Sequence, residues 1–216
     1  MPYSASIFIW YPNEKKGNIG HCSMYIGDLF SGARYNPAMS TDSITRDNFA
    51  ESCGIFDVDW PNDPDYVSWW PHVFISSMYL LRNTTTGNYA NSLIVDCDSE
   101  GRDPDVTYDV NGLIEPDMRQ AWHKFKYRCG YSSEYNLLKR NCSSAVWTVL
   151  KAGGIKNLLG KGLHQSMITH HKVWTPKNIA IVLNALNNKS AFVTKTKSET
   201  CRTKLQCLRA TLLGLR

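Results

Sequence analysis

Apolar and polar residues follow one another in short runs along this chain, and the runs predict a mixed α+β domain. Some runs are rich in β-branched and aromatic residues and are bounded by turn residues, as is typical of strands. Five such runs are residues 4–10, 21–26, 66–70, 93–97 and 106–110. In three further segments the apolar residues recur at helical spacing: residues 116–127, 142–152 and 176–186.

Local signals mark the ends of the predicted helices. Pro116 and Pro176 each occupy a first helical position, where a missing N–H costs little, and Thr175 is a helix N-cap residue. Gly153 ends the helix that comes after the polar stretch 139–141. Cys142 therefore lies in the first turn of a predicted helix.

Two segments do not show such periodicity. Residues 30–65 are rich in Asn, Asp, Pro and Ser and predict a long loop with a short helix at residues 46–52. Residues 189–216 carry seven Lys or Arg and a single acid, Glu199. The sequence thus predicts a domain at residues 1–188 and a basic C-terminal tail or helix at residues 189–216. A solvated tail is the simpler interpretation, and contact with an anionic surface or a partner is the alternative.

Composition excludes several classes of protein. Hydrophobic residues make up 43% and aromatic residues 12% of the 216 residues, which is typical of a packed globular protein. The net charge of +5 is mild, and we expect no nucleic-acid partner. The chain has no apolar run long enough for a membrane span and no recognisable secretory signal. We expect synthesis in the cytoplasm and secretion by a route that reads no cleaved signal.

The polar clusters indicate no metal and no cofactor. The seven cysteines form no CxxC pair and show no Cys/His ligand spacing, although Cys201 and Cys207 are candidates for a disulfide in an oxidising compartment. The acidic segment 96–105 does not meet the EF-hand pattern and is interpreted as a solvated loop. Three histidines are interpreted as surface residues: His164, His170 and His171.

His21 and Cys142 are the residues with the clearest chemical potential. The N-terminus of a helix favours a thiolate, which is the nucleophilic form of cysteine. Each residue alone is more often structural, because free cysteines are among the most buried residue types. Gly20 and Ser23 flank the histidine strand with small side chains, which allow another element to approach His21 closely.

Read together, three motifs resemble a known family. They are GHCSMYIG at residues 20–27, YVSWWP at 66–71 and YNLLKRNCS at 135–143. This combination is similar to the circularly permuted branch of the NlpC/P60 papain-like superfamily, which includes the LRAT-like and YiiX-like proteins and places the histidine strand before the cysteine helix. The resemblance covers about residues 6–186. It implies a papain-like α+β fold with a small antiparallel sheet packed against the Cys142 helix.

The resemblance also implies roles for individual residues. Cys142 matches the nucleophile and His21 the general base. The third, orienting position falls on Ser68, where relatives more often have His, Glu, Asp or Asn, so that Asp65 and His72 remain alternatives.

An oxyanion hole would combine the backbone N–H of Cys142 with a donor from Tyr135 or Asn141.

Within this branch the chain resembles antibacterial effectors of the type VI secretion system. The implied activity is amide hydrolysis in the stem peptides of peptidoglycan, in the periplasm of target bacteria. The implied partners are a type VI delivery component and a cognate immunity protein.

One alternative is a lipid esterase, acyltransferase or protein deamidase on the same Cys-His pair, for which the aromatic segment 60–74 and the basic tail are suited. The other is a non-enzymatic module that binds a partner through its tail. Three tryptophans are candidates for a binding groove or for the core: Trp60, Trp69 and Trp70.

Overall fold

The computed structural model describes only part of the chain. The described residues are 3–12, 20–27, 65–72, 80, 83–90, 92–126, 134–160, 162, 173–188 and 192–198. Several sequence predictions lie outside them: the helix at 46–52, Trp60, His164, His170, His171, the Cys201–Cys207 pair and the end of the basic tail.

The described residues form an α+β structure, as predicted. The strands are β1 (Ala5–Trp10), β2 (His21–Ile26), β3 (Tyr66–Val67), β4 (Trp70–Pro71), β5 (Thr85–Asn88), β6 (Val106–Val110), β7 (Glu134–Tyr135) and β8 (Val193–Lys197). The helices are α1 (Leu93–Glu100), α2 (Glu115–Lys126), α3 (Cys142–Ala152), α4 (Ile155–Leu159) and α5 (Pro176–Asn187). Among them, no helix is both long enough and apolar enough to cross a membrane.

A five-stranded antiparallel sheet organises the fold. Its strand order is β3-β2-β1-β6-β8, and a smaller sheet has the order β4-β5-β7. In the β1–β2 hairpin the register pairs Trp10 with His21, so the histidine begins its strand opposite a tryptophan. The large sheet therefore presents His21 at the end of a central strand.

The large sheet is buried on both faces, because side chains alternate between its two sides. On one side Ile7, Ile9 and Met24 belong to the main core, which includes residues of α2, α3 and α5. On the other side Phe8 and Tyr25 form a second core with Leu93 of α1. This double burial explains why all six residues of β1 and of β2 are buried.

Most of the predicted elements are confirmed, but the strand predicted at residues 93–97 is wrong. This segment is helix α1. Ser92 caps its start by accepting a hydrogen bond from the Val95 N–H, and Gly101 ends it in the left-handed conformation. These two caps override the strand preference of the β-branched residues between them.

The predicted strand at residues 66–70 is divided between the two sheets. Tyr66 and Val67 pair with β2, whereas Trp70 and Pro71 pair with β5. Ser68 and Trp69 lie between the two short strands and are both buried. The chain thus passes from one sheet to the other at Ser68.

The domain boundary predicted at residue 189 does not mark the end of the large sheet. Strand β8 pairs with β6 along its whole length, from Val193 opposite Val110 to Lys197 opposite Val106. Its pattern VTKTK has one buried apolar residue, because β8 is the edge strand of the sheet. The first part of the predicted tail is therefore an integral strand, which its polar composition concealed.

Gly20 fixes the close approach of β1 to the start of β2, which generates a first prediction. Its φ is +84°, and an added Cβ would lie 2.7 Å from the Trp10 carbonyl oxygen. Gly154 is a matched control, since its φ is +85° but its nearest neighbour is the flexible Asn157 side chain at 3.4 Å. Both alanine variants should lose about 1–2 kcal/mol of unfolding free energy from the positive φ. Gly20→Ala should lose about 1–3 kcal/mol more from overpacking.

Urea unfolding of the two variants measures the difference. Equal losses would show that the contact with Trp10 imposes no constraint on residue 20.

Candidate active site

Helix α3 begins at Cys142 because Asn141 caps it. The Asn141 side-chain oxygen accepts a hydrogen bond from the Ser144 N–H, and the Asn141 N–H donates to the Ser144 hydroxyl, both at 2.8 Å. This capping box places Cys142 at the first helical position. The capping box uses the N–H groups of Asn141 and Ser144, so within the first turn those of Cys142 and Ser143 are left to bind an acceptor at the start of the helix.

The Asn141 amide group also links the start of α3 to two neighbouring segments by hydrogen bonds. Its Nδ2 donates to the carbonyl oxygens of Leu137 at 2.7 Å and of Trp174 at 2.9 Å. Both amide hydrogens and the backbone N–H thus already have acceptors, which does not favour the predicted role of Asn141 as an oxyanion donor. Asn141 supports the site by fixing where α3 starts.

His21 lies between Cys142 and an acid on another element. Its imidazole is 1% exposed, and Nε2 lies 3.0 Å from Oδ2 of Asp96 and 3.2 Å from the Ser68 hydroxyl. Cys142 lies near enough to the imidazole to raise its pKa. Because Nε2 already contacts Asp96 and Ser68, Nδ1 is the ring nitrogen left to exchange a proton with the thiol. One imidazole therefore contacts a buried carboxylate and the cysteine at the start of α3.

Asp96 is the functional residue that the sequence analysis missed. It is fully buried and accepts hydrogen bonds from four donors: His21, the Tyr66 hydroxyl at 2.6 Å, the Ser68 hydroxyl at 2.9 Å and the Trp70 indole N–H at 2.7 Å. Such a set of donors is what a buried carboxylate requires.

The interpretation of residues 96–105 as a solvated loop is therefore wrong. In α1 the residues Asp96, Cys97 and Glu100 face inward, whereas Asp98 is exposed. Asp105 is buried as well and accepts a hydrogen bond from the Tyr11 N–H. Leu93, Asp96, Cys97 and Glu100 follow the spacing i, i+3, i+4, i+7 of one helix face, between a capping serine and a capping glycine. This spacing was the signal in the sequence that places Asp96 on the buried face.

The three candidates for the orienting residue, Ser68, Asp65 and His72, lie in different surroundings in the structure. Ser68 contacts both His21 and Asp96, so it belongs to the site, but the carboxylate that pairs with the imidazole is that of Asp96. Asp65 instead forms a bidentate ion pair with Arg119, in which Nε lies 2.8 Å from Oδ1 and Nη2 lies 3.0 Å from Oδ2. His72 is exposed. Neither alternative to Ser68 lies at the imidazole.

Burial and charge oppose each other at the Asp96–His21 pair. Burial lowers the pKa of His21, but the charge and hydrogen bond of Asp96, together with Cys142, raise it to about 10. Burial likewise raises the pKa of Asp96, but the charge and hydrogen bond of His21 and the donors Tyr66 and Trp70 bring it below its ordinary value. At neutral pH the site holds an imidazolium beside a carboxylate.

Tyr135 lies near the thiol. It is 2% exposed, and burial together with the charge of Cys142 raises its pKa well above the ordinary value. The phenol therefore keeps its proton and remains a possible donor at neutral pH. Its role in the oxyanion hole stays a prediction.

Comparison with known proteins places the chain in a family. A segment of 70 residues, 32% of the chain, is 36% identical to part of the multifunctional-autoprocessing repeats-in-toxin of Vibrio cholerae serotype O1 (strain ATCC 39315 / El Tor Inaba N16961). The match spans about 1% of that protein's length. No solved structure matches the chain. The IcsB middle domain matches residues 84–206, a range that includes Asp96 and Cys142 but not His21. Since this range is more than half of the chain, the chain belongs to the IcsB middle domain family.

Proposed function

We propose that this protein is a cysteine-dependent acyl-transfer enzyme with Cys142 as nucleophile, His21 as general acid and base, and Asp96 as the orienting acid. One observation carries the proposal: a single buried imidazole is hydrogen-bonded to Asp96 and lies near the Cys142 thiol. Nucleophile, base and orienting group in contact are the arrangement that covalent catalysis requires.

The positions of Cys142, His21 and Asp96 suit a reaction in two steps through an acyl-enzyme. The Cys142 thiolate attacks a substrate carbonyl, and the backbone N–H groups of Cys142 and Ser143, which the capping box does not use, stabilise the resulting oxyanion. The C–S bond forms, and the leaving group departs with the proton that His21 supplies from Nδ1. His21 then takes a proton from the incoming water or amine, which cleaves the thioester and frees Cys142. Asp96 stabilises the imidazolium and keeps its orientation throughout.

We propose as substrate an amide in the stem peptide of peptidoglycan, which water would cleave. The resemblance to permuted NlpC/P60 proteins supports this substrate, because the histidine strand precedes the cysteine helix and α3 packs on an antiparallel sheet. A papain-like fold is part of the same proposal. We propose further that the protein is a type VI secreted antibacterial effector that acts in the target periplasm and has a cognate immunity protein. The resemblance implies this role, and the similarity to a segment of a toxin supports only its toxin character.

A second candidate is acyl transfer from a lipid or thioester to a protein amine, or the related esterase and deamidase reactions. The observation that favours it is the aromatic surroundings of the base. The imidazole stacks on Trp70 with ring centroids 4.0 Å apart and lies 5.5 Å from the Trp10 ring. Cys142 itself is only 6% exposed. Apolar walls and little water suit a hydrophobic acyl group and slow hydrolysis of the thioester.

Digestion of purified sacculi tests the first candidate. Wild-type protein should release fragments with new amine termini, detected by mass spectrometry, whereas Cys142→Ala should release none. Cys97→Ala is the matched control, because Cys97 is another buried free cysteine, on α1, and this variant should act like the wild type.

A fatty-acyl thioester incubated with the same proteins tests the second candidate. An acyl adduct on Cys142 without any release from sacculi would replace the peptidoglycan substrate by acyl transfer. Activity in Cys142→Ala equal to the wild type would refute cysteine catalysis as a whole.

The role of Asp96 leads to a prediction about rate. Asp96→Asn keeps the shape of the side chain but removes the charge that stabilises the His21 imidazolium. We expect kcat/KM to fall by roughly 100- to 10,000-fold, measured on whichever substrate is active. Asp98→Asn makes the same change at an exposed position of the same helix and should leave kcat/KM unchanged. Equal rates for both variants would exclude Asp96 from the mechanism.

The same pair predicts a dependence of stability on pH. Because the pKa of Asp96 is lowered in the folded protein, the ionised carboxylate contributes its full stability above pH 3.8, the ordinary pKa of the group. Because the pKa of His21 is raised, the protonated imidazole contributes its full stability below pH 6.5, the ordinary pKa of histidine. The difference in unfolding free energy between wild type and Asp96→Asn should therefore be largest between pH 3.8 and 6.5. It should shrink as the pH rises toward 10, where His21 loses its proton.

Denaturant unfolding over this pH range measures the difference, which we expect to reach about 3–5 kcal/mol because one partner of a buried ion pair is lost. A difference independent of pH would show that the two groups are not coupled.

A further inference from the structure

We propose that Trp70 is a positioning residue that holds Asp96 and His21 in one relative orientation through two different parts of its indole ring. The indole N–H donates to Oδ1 of Asp96 at 2.7 Å. The face of the same ring stacks on the His21 imidazole, with centroids 4.0 Å apart and planes inclined by 16°. The role in catalysis rests on the proposed function, whereas the contacts themselves do not.

The hydrogen bonds on Asp96 are divided between its two oxygens. Oδ2 accepts from His21 and from the Tyr66 hydroxyl, and Oδ1 accepts from Trp70 and from the Ser68 hydroxyl. Ser68 is a rotatable hydroxyl that also lies 3.2 Å from His21 Nε2, so it is a less rigid anchor than an indole. Without the Trp70 N–H, Oδ1 would keep only this rotatable donor, and the carboxylate could turn away from the imidazole.

The stacking contact constrains the other partner of the pair. An aromatic face parallel to the imidazole leaves both in-plane nitrogens accessible, so that Nε2 can bond to Asp96. The stacking opposes rotation of the imidazole ring, which would break this hydrogen bond. The contact also favours the protonated ring, because the negative face of an indole attracts a cation. Trp70 therefore acts on the orientation and on the charge of His21.

The titratable groups around this pair come from five elements. Strand β2 supplies His21 and Cys22, and β3 supplies Tyr66; the remaining groups are Asp96 and Cys97 on α1, Tyr135 on β7 and Cys142 on α3. Burial raises the pKa of the Cys22, Cys97 and Tyr66 groups, so these stay neutral at neutral pH. The charges that Trp70 faces are thus those of Asp96 and His21, with Cys142 beyond the imidazole.

The neighbouring Trp69 provides a matched control. It is 1% exposed and packs in the main core, against Gly87 and on the edge of the Phe125 ring. Within the described residues its indole N–H has no hydrogen-bond partner. Trp69→Phe therefore removes an indole from the core next to the site without removing a hydrogen bond. Trp70→Phe keeps an aromatic face for stacking but removes the N–H that reaches Asp96.

The experiment compares both variants with the wild type by two measurements that need no substrate. The first is an NMR titration of 15N-labelled imidazole, which gives the midpoint for His21. The second is the rate at which iodoacetamide alkylates Cys142 at pH 7, read by mass spectrometry of the peptide. In Trp70→Phe we expect the midpoint to fall by about one pH unit from its value near 10, and the alkylation rate to fall about tenfold.

Trp70→Leu, which also lacks the stacking face, should lower both quantities further. Trp69→Phe should leave both unchanged even where thermal unfolding shows that it is less stable. The proposal is overturned if the Trp70→Phe variant is folded and titrates like Trp69→Phe. This outcome differs from a failure of the proposed function, in which sacculi and acyl donors remain unmodified while the His21 midpoint still responds to Trp70→Phe.

Discussion

The candidate site depends on one buried ion pair, that of Asp96 and His21. Removing a carboxylate and an imidazolium from water is costly, and the attraction between them offsets this cost only when their remaining hydrogen-bonding capacity is satisfied. Here Tyr66, Ser68 and Trp70 donate the additional hydrogen bonds to Asp96. The pair is therefore stable only if β3, β4 and the segment between them are in place, which couples the chemistry of the site to the fold.

The large sheet explains why the three groups of the candidate site come from distant parts of the chain. Helix α1 contributes to the second core and α3 to the main core, so the sheet lies between Asp96 and the body of the cysteine helix. His21 is the first residue of a central strand, and its imidazole contacts residues of both helices. A site at the end of a strand is thus the place where groups from the two faces of this sheet can meet.

Elements with strong local signals could be predicted from the sequence, and so could the two residues at their ends. The polar stretch 139–141 and the Gly153 stop predicted α3, and the short run 21–26 predicted β2, so the positions of Cys142 and His21 could be inferred. Asp96 was harder to identify, because the β-branched residues before it and its acidic neighbours favoured an exposed strand end over the helical spacing from Leu93. The edge strand β8 shows the same limit. Its polar pattern is that of a solvated tail, and only pairing with β6, a non-local contact that no local pattern encodes, makes it a strand.

The ion pair also determines which segments of the chain must fold together for Asp96 to be ionised. The range that matches the IcsB middle domain, residues 84–206, contains Asp96 and Cys142 but not His21. It also lacks Tyr66, Ser68 and Trp70, three of the four donors to the carboxylate. Without them a buried Asp96 would have neither a cation nor a hydrogen-bond donor and would take up a proton. The β1–β2 hairpin and residues 65–72 therefore belong to the same structural unit as Asp96, because they supply the imidazole and the donors that keep the acid ionised.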